Sequence, residues 1–252
     1  MAFQQFKPEK KDIIFGIHPI IEAIEAGKEI ERILLQKDHQ SPQLKELIGM
    51  AATRHIPYQK VPVEKLDGIT KKNHQGAICF VSAITYASLD NVLQAAFESG
   101  KAPVIMVLDR ITDVRNFGAI ARTAECCGVD AIVVPTRGSA QITGDAIKTS
   151  AGALNHIPVC REENLKNVLT YLKECGLQLV SCTEKGTDII SKFDFTTPVA
   201  ILLGSEEDGI SDEYLKKSDA ILKIQTVGKI NSLNVSVAAG MVLYEMVRQR
   251  SI

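Results

Sequence analysis

Apolar side chains recur at helical spacing over 18–26 (HPIIEAIEA), and Gly27 stops the run. The pattern then predicts a short strand at 33–36 and a helix at 42–55 with Ser41 as N-cap and Pro42 at its first position. A strand at 58–61, a short helix at 63–69 and a β-branched buried strand at 78–84 follow. Together they read as a small α/β unit over 11–84, interrupted by the polar loop 71–76 (KKNHQG). Residues 85–102 carry a helical pattern (LDNVLQAAFESG) that ends at Gly100, and are expected to link two domains.

From Pro103 onward the apolar runs lengthen. Strands are predicted at 104–109, 131–135, 177–183, 199–204 and 220–224. Helical patterns separate them at 117–127, 144–153, 164–175 and 211–217, and a last one runs from about 233 to 250. Buried β-branched strands alternating with helices imply an α/β domain over 103–252 with a parallel sheet covered on both faces. Ligands in such sheets sit beyond the carboxyl ends of the strands. Three segments rich in Gly, Asn, Ser and charge lie there, at 109–122, 204–211 and 225–234.

Composition narrows the class without changing this picture. With 45% apolar and 23% charged residues over 252 positions, the chain has the mix of a soluble globular protein. No run approaches the roughly 18 apolar residues that cross a bilayer, and the start MAFQQFKPEKKD lacks an apolar signal core. A soluble, cytoplasmic protein with no membrane partner is expected. The six cysteines form no C-x-x-C and have no zinc-finger spacing, so reduced core thiols are expected and no metal. The net charge of −1 argues against a generic nucleic-acid binder. Residues 1–84, however, carry 12 basic against 10 acidic residues, so an RNA surface is expected to be local and in the first unit.

The familiar nucleotide and hydrolase signatures, G-x-G-x-x-G, the P-loop and G-x-S-x-G, are absent. In the first strand-end segment Asn116 can cap the following helix and Gly118 admits a close backbone neighbour. Arg122 has two readings of equal weight: a surface Arg whose stem covers apolar atoms, or an Arg turned into a cleft to hold phosphate. In the last segment Ser232 can cap the final helix, whose orphan amides favour anionic or polar ligand atoms. Gly204, at the end of an apolar strand, is expected to let backbone approach a ligand, so that Gly204→Val abolishes binding and leaves the fold largely intact.

These segments resemble, in order and spacing, the three motifs of the SpoU (TrmH-like) 2′-O-ribose RNA methyltransferases of the SPOUT class. NFGAIARTAECCGVDAIVV resembles motif one, ILLGSEEDGIS motif two and LKIQTVGKINSLNVSVAAGMVLYE motif three. KTSAGALNHIPV resembles the 23S rRNA guanosine branch, and GIHPIIEAIEAG and NHQGAICFV resemble its ribosomal-protein-like substrate-binding domain. The chain departs from the family where Asp113-Val114-Arg115 lacks the usual Asp-Pro, where Ser205 stands for a frequent Asn, and where Ile224-Gln225-Thr226 replaces Ile-Pro-Met. The lost prolines are expected to relax two loops around the cofactor.

The resemblance implies a C-terminal trefoil-knot domain that binds S-adenosylmethionine and works as a homodimer. It implies methyl transfer to a ribose 2′-hydroxyl of rRNA, a guanosine of 23S rRNA. Backbone at Gly204, Ile224 and Leu233 is expected to contact the cofactor. Arg122 is expected to grip phosphate and orient the hydroxyl, because a guanidinium normally stays protonated and is a poor base. Asn116 and Glu206 are expected to fix Arg122, while Ser232 and Asn234 organise the turn on the cofactor side. RNA contacts are expected at Lys71, Lys72, His74 and Gln75. The alternatives are a tRNA substrate, or a non-catalytic RNA-binding factor with the same fold.

Overall fold

The computed structural model describes residues 13–230 and 232–251 and divides the chain into two units, residues 13–85 with 141–144, and residues 86–140 with 145–251. The polar start at 1–12, which includes the first two residues of the 11–84 unit, lies outside the described residues.

In the first unit the elements run β1 (Ile13–Phe15), α1 (Ile17–Glu25), β2 (Ile30–Gln36), α2 (Pro42–Thr53), β3 (Tyr58–Val61), α3 (Val63–Ile69) and β4 (Ala77–Val81). Ser41 caps α2 as its sequence suggests, its Oγ accepting from the Leu44 amide at 3.1 Å. The sheet has the order β1-β4-β2-β3, antiparallel except for the parallel pair β2–β3. Alternation of side chains gives it two apolar faces. Ile33, Leu35 and Cys79 pack with α1 and α2, whereas Leu34, Ile78 and Phe80 pack with Leu66 of α3.

The second unit continues with α4 (Leu89–Glu98), β5 (Val104–Asp109), α5 (Val114–Cys126), β6 (Ala131–Pro135), α6 (Gly144–Thr149), β7 (Val159–Glu162), α7 (Leu165–Glu174) and β8 (Gln178–Cys182). β9 (Asp188–Ile189), β10 (Val199–Gly204), α8 (Asp212–Leu215), β11 (Ala220–Lys223) and α9 (Val235–Arg250) complete it. Its seven strands are all parallel, in the order β7-β6-β5-β10-β8-β11-β9. β10 enters between β5 and β8, and β11 between β8 and β9, so the last two strands are laid between earlier ones. Ile105 and Val107 face a cluster built with α4 and α7. Their alternates Met106 and Leu108 are buried toward the other face. α9 packs against both β10 and α5.

Several expectations change here. Residues 89–98 are not a linker: Leu89 and Leu93 of α4 are buried in the same cluster as Ile105 and Val133. Of the six cysteines, all free, Cys79 and Cys160 are core thiols, and burial pushes their pKa, and that of Cys182, up to about 12. Cys126 is exposed and the other three are half-buried. Among the described residues no helix is long and apolar enough to cross a membrane.

Candidate active site

β5 and β10 stay in register to their last residues, pairing Gly204 with Asp109 at the carboxyl edge of the sheet. Beyond that edge the chain makes a tight loop, 205–209. The Gly209 amide donates to the Ser205 carbonyl at 2.9 Å, and Ser205 Oγ accepts from the Asp208 amide at 3.1 Å. Gly209 takes a left-handed φ of 68°, which a glycine adopts without a Cβ clash. Ser205, standing where Asn is frequent in the family, therefore still supplies the acceptor that closes the turn.

Glu206 on this loop joins two other segments. Its Oε1 accepts from Asn234 Nδ2 at 2.6 Å and from the Val235 amide at 3.2 Å. A carboxylate at the start of α9 thereby satisfies one of the orphan amides there and complements the helix dipole. Asn234 also donates to Asn116 Oδ1 at 2.9 Å. Its own Oδ1 accepts from the Ser236 and Val237 amides, at 3.0 and 3.4 Å. Asn116, Glu206 and Asn234, 118 positions apart at the extremes, thus lock the three strand-end segments together.

Two cap assignments are corrected by this lock. Asp113, not Asn116, caps α5, accepting from the Arg115 and Asn116 amides at 2.6 and 3.1 Å. Asn234, not Ser232, caps α9. Val114 occupies the first helical position, so the missing proline removes a preset φ but leaves the cap. Asn116 and Glu206 also do not hold Arg122, because their bonds go to Asn234 and Val235. Arg122 is exposed on α5 and, among the described residues, makes no hydrogen bond or ion pair. Gly118 behaves as expected: a Cβ there would meet Thr149 Cβ at 2.7 Å and the Ser150 amide at 3.1 Å.

Against the 205–209 loop lies a cavity of about 300 Å³, at the lower end for small-molecule sites. Gly204, Ile224, Ser232 and Leu233 all line it, together with Glu206. Leu203, Ile210, Val235 and Ala238 make its apolar wall, and Glu184, Glu207 and Asp208 add carboxylates. The 182–185 segment after β8 also lines it, and this segment was missed from the sequence. A usable signal was Gly186, whose hypothetical Cβ would lie 2.4 Å from the Leu222 carbonyl carbon. The reason given for Gly204 changes too. A Cβ there would meet the Gly209 carbonyl carbon at 2.2 Å, so the close approach is backbone to backbone and not backbone to ligand.

A second missed residue is Arg110. It holds φ at 58° and donates to both Asp109 oxygens at 3.1 and 3.2 Å, to Asp208 Oδ2 at 3.0 Å and to the Gly209 carbonyl at 3.2 Å. The hydrogen bond to Asp109 pushes its guanidinium pKa above the ordinary value, so it stays charged. Among the described residues no group of three or more His, Cys, Asp or Glu is placed to hold a metal ion.

The other predicted residues lie in the first unit. His74 is buried, its Nδ1 accepting from the Gly76 amide at 3.0 Å and its Nε2 facing Asp67 Oδ1 at 3.1 Å. That pairing assigns the proton to Nε2 and leaves no ring nitrogen for RNA. Gln75 Oε1 accepts from the Ile17 amide at 3.2 Å, at the start of α1. Both side chains therefore help build the 70–76 loop; His74 is closed off from the RNA contact expected of it, whereas Gln75 is exposed. Lys71 and Lys72 are exposed, with Lys72 Nζ 5.2 Å from the Phe15 ring centroid.

A model of the SpoU rRNA Methylase family matches residues 103–244, and one for RNA 2′-O ribose methyltransferase substrate binding matches residues 13–87. A candidate TrmH family tRNA/rRNA methyltransferase of Staphylococcus saprophyticus is 36% identical, covering 95% of this chain and 96% of that protein. Among solved structures, the SpoU methyltransferase AviRb from Streptomyces viridochromogenes in complex with AdoMet aligns with a TM-score of 0.61 and 25% identity. That alignment covers 95% of this chain and 90% of AviRb. The A. aeolicus TrmH/SpoU tRNA modifying enzyme aligns at 28% identity and a TM-score of 0.55, over 65% of this chain and 84% of its own.

Proposed function

This chain belongs to the SpoU family of RNA 2′-O-ribose methyltransferases, and from that premise we propose that its substrate is rRNA, at a guanosine of 23S rRNA, methylated in the cytoplasm. S-adenosylmethionine is the methyl donor, and supplies an electrophilic methyl group on a sulfonium. The cavity residues suit it: an apolar wall of Leu203, Ile210 and Ile224 for a flat base, and carboxylates of Glu184, Glu206 and Asp208 for a cationic ligand. Gly204, Ile224 and Leu233 contact it, with Ser232 on the rim.

The protein's share of the chemistry is alignment and electrostatics. Arg122 carries the reading. Its five donors are uncommitted within the described residues, which suits a residue that must hold a phosphate bidentately and turn the adjacent 2′-hydroxyl toward the methyl group. Asn116, Glu206 and Asn234 act on the reaction by holding the motif loops in place. Lys71 and Lys72 supply the exposed charge by which the first unit binds RNA, on a loop framed by His74 and Gln75. The choice of rRNA over tRNA rests on that first unit: the A. aeolicus tRNA modifying enzyme aligns over only 65% of this chain. Mapping 2′-O-methyl groups in total RNA with and without the gene product tests it. A lost mark at a 23S guanosine is expected; loss confined to tRNA overturns the substrate, and no lost mark at all supports the non-catalytic reading.

The active form is a homodimer through the second unit, in which the motif-two and motif-three loops thread together in a trefoil knot. Val237, Met241 and Tyr244 form an exposed apolar stripe at i, i+4 and i+7 along α9, 51, 42 and 69% exposed. Val227 and Ile230, in the segment before α9, are exposed as well, at 98 and 78%. Replacing Met241 and Tyr244 together by Lys is expected to convert a dimer to monomers in sedimentation equilibrium; an unchanged dimer mass places the interface elsewhere.

A further inference from the structure

We propose that Arg110 is a positioning residue of the methyl-transfer reaction, clamping the 205–209 loop so that Glu206 and the cavity wall are held ready for the methyl donor. The proposal rests on the reading of that cavity as the S-adenosylmethionine site.

Three observations carry it. First, Arg110 has φ 58°, in the left-handed region that a non-glycine residue occupies only when its surroundings over-determine it. Second, those surroundings are specific. The side chain reaches Asp109 with Nε and Nη2, and reaches across 98 and 99 positions to Asp208 Oδ2 and the Gly209 carbonyl. Third, Asp109 is 3% exposed and also accepts from the Ser211 amide at 3.0 Å and Ser211 Oγ at 2.8 Å. Arg110 therefore grips the far half of the loop at Asp208 and Gly209, and Asp109 the segment just after it at Ser211. The near half is fixed by pairing of β10 with β5, and Glu206 in between is tied to Asn234 and Val235.

The loop is only five residues long, so a release at Asp208 and Gly209 frees Glu206 within two residues. A planar fork suits this task, because it serves a buried carboxylate and a loop carbonyl at once; a lysine ammonium has no such fixed geometry. The conformation argument and the clamp argument make opposite predictions for glycine. If position 110 serves only to turn the chain, Gly is at least as good as Arg. If the guanidinium is the clamp, Gly loses it.

The test is Arg110→Gly and Arg110→Lys, with calorimetric titration of S-adenosylmethionine and steady-state methylation of rRNA by the full chain. The expected result is a KM and a Kd for the donor raised about tenfold or more, the scale of losing charged hydrogen bonds, with kcat reduced less than about threefold and little rescue by Lys. A purely structural role lowers the melting temperature without this split. Arg110→Gly binding the donor as tightly as the unmodified chain overturns the proposal, as does full rescue by Lys. Should Arg110→Gly not fold, Arg110→Gln keeps much of the side chain and removes the charged fork; an unchanged Kd there overturns it equally. If the unmodified chain itself binds no S-adenosylmethionine, the cavity assignment has failed instead.

Discussion

Arg122→Ala is expected to lower methyl transfer by roughly 10²- to 10⁴-fold while cofactor affinity stays within about threefold of the unmodified chain, the pattern of an interaction made with the target and not with the donor. The competing reading is a surface arginine whose stem covers apolar atoms. On that reading alanine changes stability by about 0.5 kcal/mol at most and leaves activity alone. Neither exposure nor the lack of a partner separates the two, since Arg115 and Arg137 are also exposed and spend no side-chain donor on the described residues; the variant does. Arg110, Arg248 and Arg250 spend their donors on protein oxygens. Arg122 spends none on the described residues, although it stands on the helix whose Asn116 joins the motif lock.

Arg122→Lys distinguishes charge from geometry. Lysine keeps the positive charge and loses the planar fork, so it is expected to recover little of the rate. Single-turnover methylation of an rRNA fragment at saturating S-adenosylmethionine reads the chemical step without product release. Undiminished rates in Arg122→Ala defeat the assignment, and near-complete recovery with Lys leaves charge as the whole of its role.

The parts legible in the sequence share a property: each is decided by neighbours a few positions away. Strands 104–109, 131–135 and 199–204 appear where expected because a run of buried apolar residues permits little else. Ser41 and Pro42 mark the start of α2 unambiguously. Where two capping residues stand close together, local reading fails. Asn116 and Ser232 were as plausible as Asp113 and Asn234, and the choice is made by a contact spanning 118 positions. β7 has only two buried apolar residues and β9 is two residues long, so neither carries a pattern. The α4 segment looks like a linker helix until β5 and β6 supply the leucine pocket it fills. Arg110 gives no sign at all, because a left-handed non-glycine residue is invisible without its partners.

Gly204→Ala and Gly204→Val are both expected to destabilise the second unit severely, by about 3 kcal/mol or more for Val, in the manner of overpacked cores and strained turns. The expectation of an intact fold assumed that a ligand occupied the space beside this glycine. The space is filled by backbone: a Cβ would stand 2.2 Å from the Gly209 carbonyl carbon, 2.3 Å from its oxygen and 2.3 Å from the Ile210 nitrogen. Backbone atoms give way only if the loop moves, and this loop is held on both sides. The Gly209 amide bonds to the Ser205 carbonyl, the Gly209 carbonyl accepts from Arg110, and Ile210 is buried in the cluster beneath. Strand β10 cannot shift either, since β5 and β8 flank it in register. Gly228→Ala is the control, because a Cβ there meets no atom within 4 Å, and a change below about 0.5 kcal/mol is expected. Chemical denaturation of the three variants beside the unmodified chain makes the comparison. Loss of donor binding by Gly204→Ala at full stability would return this glycine to the role of admitting a ligand, and would mean that the 205–209 loop yields more easily than its bonds imply.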